Sequence, residues 1–163
     1  MNKAARAIYF TALGLWVGGM ATLAFVVAPT VFRTVPRATA GTIFGSVLKA
    51  FGPLQIGLGI VAAIAVGILI KGGELKLRSG LLRLGVLAVM LLVACNAQFV
   101  LGPAIERERT ALVNFDSLPP GVPARARFDS LHKWSVWLGS VSLLAGVGLL
   151  VRSAATVKPP DGP

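Results

Sequence analysis

Four long apolar runs, separated by short polar stretches, set the pattern of this chain: Ala7 to Phe32, Leu54 to Ile70, Leu81 to Ile105 and Leu131 to Val151. Each falls in or beyond the range of roughly 17–25 residues over which a helix crosses a bilayer. Small residues recur within them at helical spacing. Gly14 and Gly18 share a face with Thr11 and Thr22, Gly59 with Ala63 and Gly67, and His132 heads a seam of Ser135, Gly139, Ser142 and Gly146. Such seams let neighbouring helices approach closely. The pattern predicts an all-α fold, an integral membrane four-helix bundle.

The polar interruptions refine that picture. Lys3 and Arg6 before the first run have the look of a signal-peptide start, but the run exceeds the roughly 7–15 residues of such a segment, so an uncleaved first helix is expected. Pro29 removes a backbone donor, frees the carbonyl of Phe25 and predicts a kink. Ile43, Phe44, Val47, Leu48 and Phe51 on one face, with Ser46 and Lys49 on the other, predict an interfacial helix that bends inward at Gly52-Pro53 before the second span. Lys71 to Gly80 reads as a plain polar connection, and Arg83 is close enough to the start of the third span to snorkel. Beyond the membrane the third and fourth helices are expected to extend as a hairpin, turning at Leu118-Pro119-Pro120-Gly121 and returning from Pro123. Trp134 and Trp137 fit an interfacial aromatic belt. One domain, residues 1–152, is expected, followed by a disordered tail over 153–163.

Composition agrees. Apolar residues make up 55% of the chain and charged ones 13%, with a mean hydropathy of +0.79, so its main partner is the lipid bilayer. A surplus of 16 Lys and Arg over 6 Asp and Glu could signal nucleic acid, but the cations stand beside the ends of apolar runs, where topology and anionic headgroups require them. One Cys and one His exclude an intrachain disulfide and a four-ligand zinc site of the Cys/His type. No nucleophile–base pair, phosphate loop or carboxylate pair stands out, so neither an enzyme nor a bound cofactor is expected. Four spans put both termini on one side. Basic residues divide evenly between the sides, and the acids concentrated in the long hairpin tip the expectation to cytoplasmic termini.

The candidate chemistry lies on the third and fourth helices. Asn96, Phe99, Pro103 and either Glu106 or Arg107 share nearly one face, and Asn96 lies about 16 Å below Arg107, near mid-bilayer. Gln98 is about 200° round the same helix, so the two amides face different neighbours. His132, the only imidazole, is of the residue type that changes charge near neutral pH. Asn96, Pro103, Glu106, Arg107, His132 and Ser135, with Arg33 as a further wall, therefore define an expected polar pocket for a small ligand, cation or proton on the hairpin side. The competing expectation is an assembly protein whose Gly/Ser seams pack against a second copy or a larger partner. Cys95, Met20 and Met90 are soft metal ligands by type, but Cys95 and His132 lie at different depths, so no metal site is assigned.

Two stretches carry a resemblance. Trp16-Val17-Gly18-Gly19 through Phe25-Val26-Val27-Ala28-Pro29 and Phe32-Arg33-Thr34-Val35-Pro36-Arg37 form one; Asn96-Ala97-Gln98-Phe99-Val100-Leu101-Gly102-Pro103 with Phe128-Asp129-Ser130-Leu131-His132-Lys133-Trp134-Ser135 form the other. Together they resemble the transmembrane-protein-205-like family, a four-helix membrane domain of unknown function widespread in bacteria. Its bacterial members look distantly similar to membrane proteins of the copper-resistance D type. The resemblance implies a bacterial inner membrane and a link to metal resistance.

Overall fold

The computed structural model describes residues 2–110 and 123–155. Four long helices account for nearly all of them: α1 (Lys3–Thr34), α2 (Arg37–Lys71), α3 (Leu77–Thr110) and α4 (Pro123–Ala155). All four contain a stretch long and apolar enough to cross a membrane, as the hydropathy pattern requires. They pack in a ring, each helix against its neighbours in sequence and α4 back against α1. Phe25, Leu92 and Leu144, each about 70% exposed, belong to the apolar outer surface that meets lipid.

The first loop is short. Only Val35 and Pro36 separate α1 from α2, and Pro36 with its fixed φ opens the new helix. Nor does α2 break at Gly52-Pro53: it runs unbroken from Arg37 to Lys71 with Pro53 inside. The reason lies on α3. Pro53 cannot donate to the carbonyl of Lys49, and Gln98 supplies the missing donor, its Nε2 lying 3.3 Å from that oxygen. Gly52 makes room, because a Cβ there would stand 2.0 Å from Gln98 Oε1. A lost ladder bond inside α2 has become a contact between two helices.

Apart from Ala40 and Gly52 of α2, the buried residues lie at the end of the bundle that carries the termini. Tyr9, Leu13, Trp16 and Val17 of α1, Ala62, Ala65 and Val66 of α2, Leu87, Met90 and Ala94 of α3 and Leu149 of α4 form one core. Glycines of α2 and α4 receive the large side chains. The Trp16 ring would touch a Cβ at Gly59 at 2.4 Å, and Val17 and Met90 would touch one at Gly146 at 2.6 and 3.0 Å. Past Val17 in α1, past Ala94 in α3 and before Ser142 in α4 no described residue is buried.

The change coincides with two wide turns. Leu23–Val27 in α1 and Ala97–Leu101 in α3 are π-helical, and each leads into a proline, Pro29 or Pro103. In both, a backbone N–H reaches back five residues, Ala28 to Leu23 and Gly102 to Ala97. In that register the donor that proline lacks would have served Ala24 or Gln98, one residue earlier than the Phe25 carbonyl of an ordinary turn.

The two turns share a sequence pattern. Ala24-Phe25-Val26-Val27-Ala28-Pro29 recurs at a constant offset as Gln98-Phe99-Val100-Leu101-Gly102-Pro103, and the same offset matches Tyr9 with Arg83, Leu13 with Leu87 and Trp16 with Met90, all buried. A second constant offset matches Gly59 with Gly146, Ala62 with Leu149 and Val66 with Ser153 in α2 and α4. At these positions the first hairpin, α1 and α2, and the second, α3 and α4, place their buried residues in the same pattern.

At the far end α4 continues to Ala155 and Ser153 is buried, so the fold includes the first residues of the expected tail. Residues 156–163 and the expected hairpin turn at Leu118 to Gly121 lie outside the described residues.

Candidate functional site

The expected polar pocket does not gather round a cavity. Arg33, Asn96, Pro103, Glu106, Arg107 and His132 are all exposed, and Ser135 is half-buried. Asn96 follows the buried Ala94 by two residues, which turns it to the side of α3 opposite the core. Of the two amides it is Gln98 that meets another helix, at Lys49 and Gly52. Asn96 is left facing outward at the entrance to the wide turn, with Thr22 at the equivalent place in α1, also exposed.

Around these residues the contacts join pairs of helices and form no common site. Glu106 is held by Arg109 at 2.7 Å, and Arg109 also donates to Thr42 Oγ1 at 2.6 Å, tying α3 to the start of α2. Phe32 meets Phe44 edge-on at 6.3 Å between ring centroids. His132 stacks on Phe128, one turn away, at 5.9 Å with the rings 4° from parallel. Ser130, Lys133, Trp134 and Trp137 line an open groove of about 280 Å³ on the outer side of α4. Past Thr22, α1 packs on the first part of α2 and makes no more than marginal contact with α4.

The terminal end is different. Arg83 is 4% exposed and does not snorkel out: its guanidinium carbon lies 5.6 Å from the centroid of the Tyr9 ring. That contact replaces part of the hydration lost on burial, since a ring face attracts a cation. Tyr9 Oη and Ser153 Oγ share a hydrogen bond of 2.9 Å between α1 and α4. The connection after α2, read as plain from sequence, joins in. Glu74 pairs with Arg6 at 3.5 Å and accepts from the backbone N–H of Asn2, while Gly73 takes the positive φ of 70° that its turn requires. These groups surround a cavity of about 60 Å³ lined by Arg6, Tyr9, Glu74, Arg83 and Ser153 together with Phe10, Leu69 and Leu75.

Two more polar atoms are buried higher in the bundle. Trp16 Nε1 and Ser142 Oγ have no hydrogen-bond partner among the described residues. The thioethers serve packing and polar contact: Met90 is fully buried in the core, and Met20 Sδ accepts from Gln55 Nε2 at 3.2 Å. Among the described residues no three His, Cys, Asp or Glu side chains come together as a metal-binding group.

Sequence reasoning passed over the terminal cluster because its members are far apart in the chain and look ordinary singly. The signal that could have found it is the shared Phe-Val-x-x-Pro pattern, whose constant offset sets Tyr9 against Arg83. No similar curated protein and no similar solved structure emerges from comparison. Residues 11–114, which take in most of α1, all of α2 and α3 and both proline-linked wide turns, match the domain of unknown function DUF4149, and the chain belongs to that family.

Proposed function

We propose that the protein is a membrane assembly module, and that its open half is closed by a second copy of the chain meeting it at Asn96. The observation that carries this reading is the outward, mid-span position of Asn96 on α3. A carboxamide against hydrocarbon forfeits its hydrogen bonds, whereas two carboxamides satisfy each other, because each both donates and accepts. That makes Asn96 self-complementary across a two-fold axis, with a gain of roughly 0.6–2 kcal/mol per contact between membrane helices. Gly14, Gly18 and Gly85 have nothing within 4 Å of an added Cβ, so their backbones are open to close approach. In this reading the termini face the cytoplasm of a bacterial plasma membrane, with Lys71, Lys76 and Arg78 on the short inner loop. Mass measurement in mild detergent tests it. Wild type runs as a dimer, Asn96→Gln keeps the dimer and Asn96→Leu gives a folded monomer; a monomeric wild type with no co-purifying protein would sink the reading.

A second reading, a pocket or path on the hairpin side for a cation, proton or small solute, draws support from the gap between α1 and α4 there and from the half-buried Ser135. Metal handling, which the likeness to copper-resistance D type proteins implies, is supported by that likeness alone. If the path exists, Asn96→Leu and His132→Ala abolish flux in proteoliposomes with the bundle intact. Unchanged flux in both variants removes it.

A further inference from the structure

Early in α4 the sequence sets Ser130, Lys133, Trp134 and Trp137 at steps of three and four, which places all four on one face of the helix. That face lies outside the bundle. Both tryptophans are 57% exposed, and Ser130 and Lys133 are exposed with them. Together they line the open groove of about 280 Å³. Its apolar wall is a corner, because the two indoles meet edge to face, 5.6 Å between centroids and 87° between planes.

Depth and chemistry narrow what such a groove can hold. Lys133 and Arg152 bracket the apolar part of α4, roughly 28 Å apart at 1.5 Å per residue, close to the thickness of a hydrocarbon core. The indoles therefore lie at the edge of the acyl chains, and the ammonium reaches headgroup level. Indole N–H groups and an ammonium only donate, and of the side chains in the groove Ser130 alone can also accept. Asp129, next to the groove in sequence, is half-buried and forms no ion pair with Lys133. Among the described residues Lys133 and Ser130 make no side-chain hydrogen bond. A cation and three further donors at this depth are complementary to a phosphate oxyanion. A second copy of the chain is a poor complement, since it carries a net charge of +10 and a two-fold contact here would set Lys133 against Lys133.

We propose that the groove holds the headgroup of one anionic glycerophospholipid. Lys133 and Ser130 take its phosphate oxygens, and its glycerol and first acyl carbons lie in the corner of Trp134 and Trp137. The site is on α4, apart from Asn96 on α3, so it stands or falls separately from the dimer.

The full chain in vesicles carries its own reporter. It has three tryptophans, and Trp16 is fully buried, so Trp134 and Trp137 are the two that lipid can reach. Phosphatidylcholine vesicles are doped with a small fraction of phosphatidylglycerol or phosphatidylcholine brominated on the acyl carbons nearest the headgroup, and fluorescence quenching is compared. Brominated phosphatidylglycerol should quench wild type with an apparent affinity about fivefold higher, the preference expected of one lysine at a membrane surface. Lys133→Gln should abolish the preference at unchanged helicity, Lys133→Arg should keep it, and Ser130→Ala should lower it about twofold. Arg37→Gln, which removes an exposed cation at the same end on α2, should leave it intact. Equal quenching of wild type by the two lipids would overturn the proposal. So would quenching by neither, which would mean that protein covers the groove, or a loss in Arg37→Gln equal to that in Lys133→Gln, which would reduce the effect to general surface charge.

Discussion

The two ends of this bundle are made from the same helices and follow opposite rules. At the terminal end glycines on α2 and α4 accept Trp16, Val17 and Met90, and the layer below is tied across by Tyr9, Ser153 and Arg83. At the hairpin end side chains are exposed or half-buried, with Ala40 and Gly52 of α2 the buried residues among those described, and α1 and α4 hardly meet. The boundary is the pair of wide turns at Leu23–Val27 and Ala97–Leu101. In lipid, apolar side chains gain little by leaving hydrocarbon for a protein core, so close packing and hydrogen bonds must hold helices together. The terminal end is joined across all four helices; at the hairpin end the ties run from α2 to α3, through Gln98 and Arg109, and leave α1 and α4 apart.

The most damaging way to break the contrast is to fill a glycine of the packed end. Gly146→Leu drives atoms into Val17 and Met90, and overpacking of this kind costs about 1–3 kcal/mol or more, so the melting temperature should fall sharply or the chain fail to fold. The same change at Gly139 or Gly148, where an added Cβ meets nothing within 4 Å, should be tolerated. Next in size is the link between α3 and α2. Gln98→Leu strands the Lys49 carbonyl and should lower stability by about 1–3 kcal/mol. Pro53→Ala returns a backbone donor to that carbonyl, so Gln98→Leu should do much less harm in its background; additive losses in a double-mutant cycle would contradict the assignment.

Smaller effects belong to the open end. Asn96→Leu should leave the melting of a single chain unchanged or slightly raised while abolishing its self-association. Glu106→Gln breaks an exposed pair with Arg109, which is worth at most about 1 kcal/mol, and should be nearly silent in thermal unfolding. If Glu106→Gln proved as harmful as Gly146→Leu, the two ends would not differ as described.

Much of this was legible in the chain. Spans and class follow from hydropathy, since a bilayer admits few other solutions for apolar runs of such length. That Asn96 and Gln98 face different ways follows from helix geometry, but which one faces the bundle does not. Gly52-Pro53 decides it, through a carbonyl that only Gln98 is placed to satisfy, and a reading that takes each helix separately sees there only a bend. Arg83 looked ready to snorkel because depth along a helix is readable and direction round it is not. The similar Phe-Val-Val-Ala-Pro and Phe-Val-Leu-Gly-Pro segments are the overlooked guide. They match α1 with α3 position by position, and so point to Tyr9 and Arg83 as occupants of one layer.

The most direct test of a packed end joined to an end that a second copy completes is cysteine crosslinking in membranes. With Cys95→Ala as the background, Asn96→Cys and Gly148→Cys place single thiols at the open and the packed end. Mild oxidation should give a covalent dimer for Asn96→Cys and little for Gly148→Cys. Equal crosslinking at both positions, or none at Asn96, would contradict it.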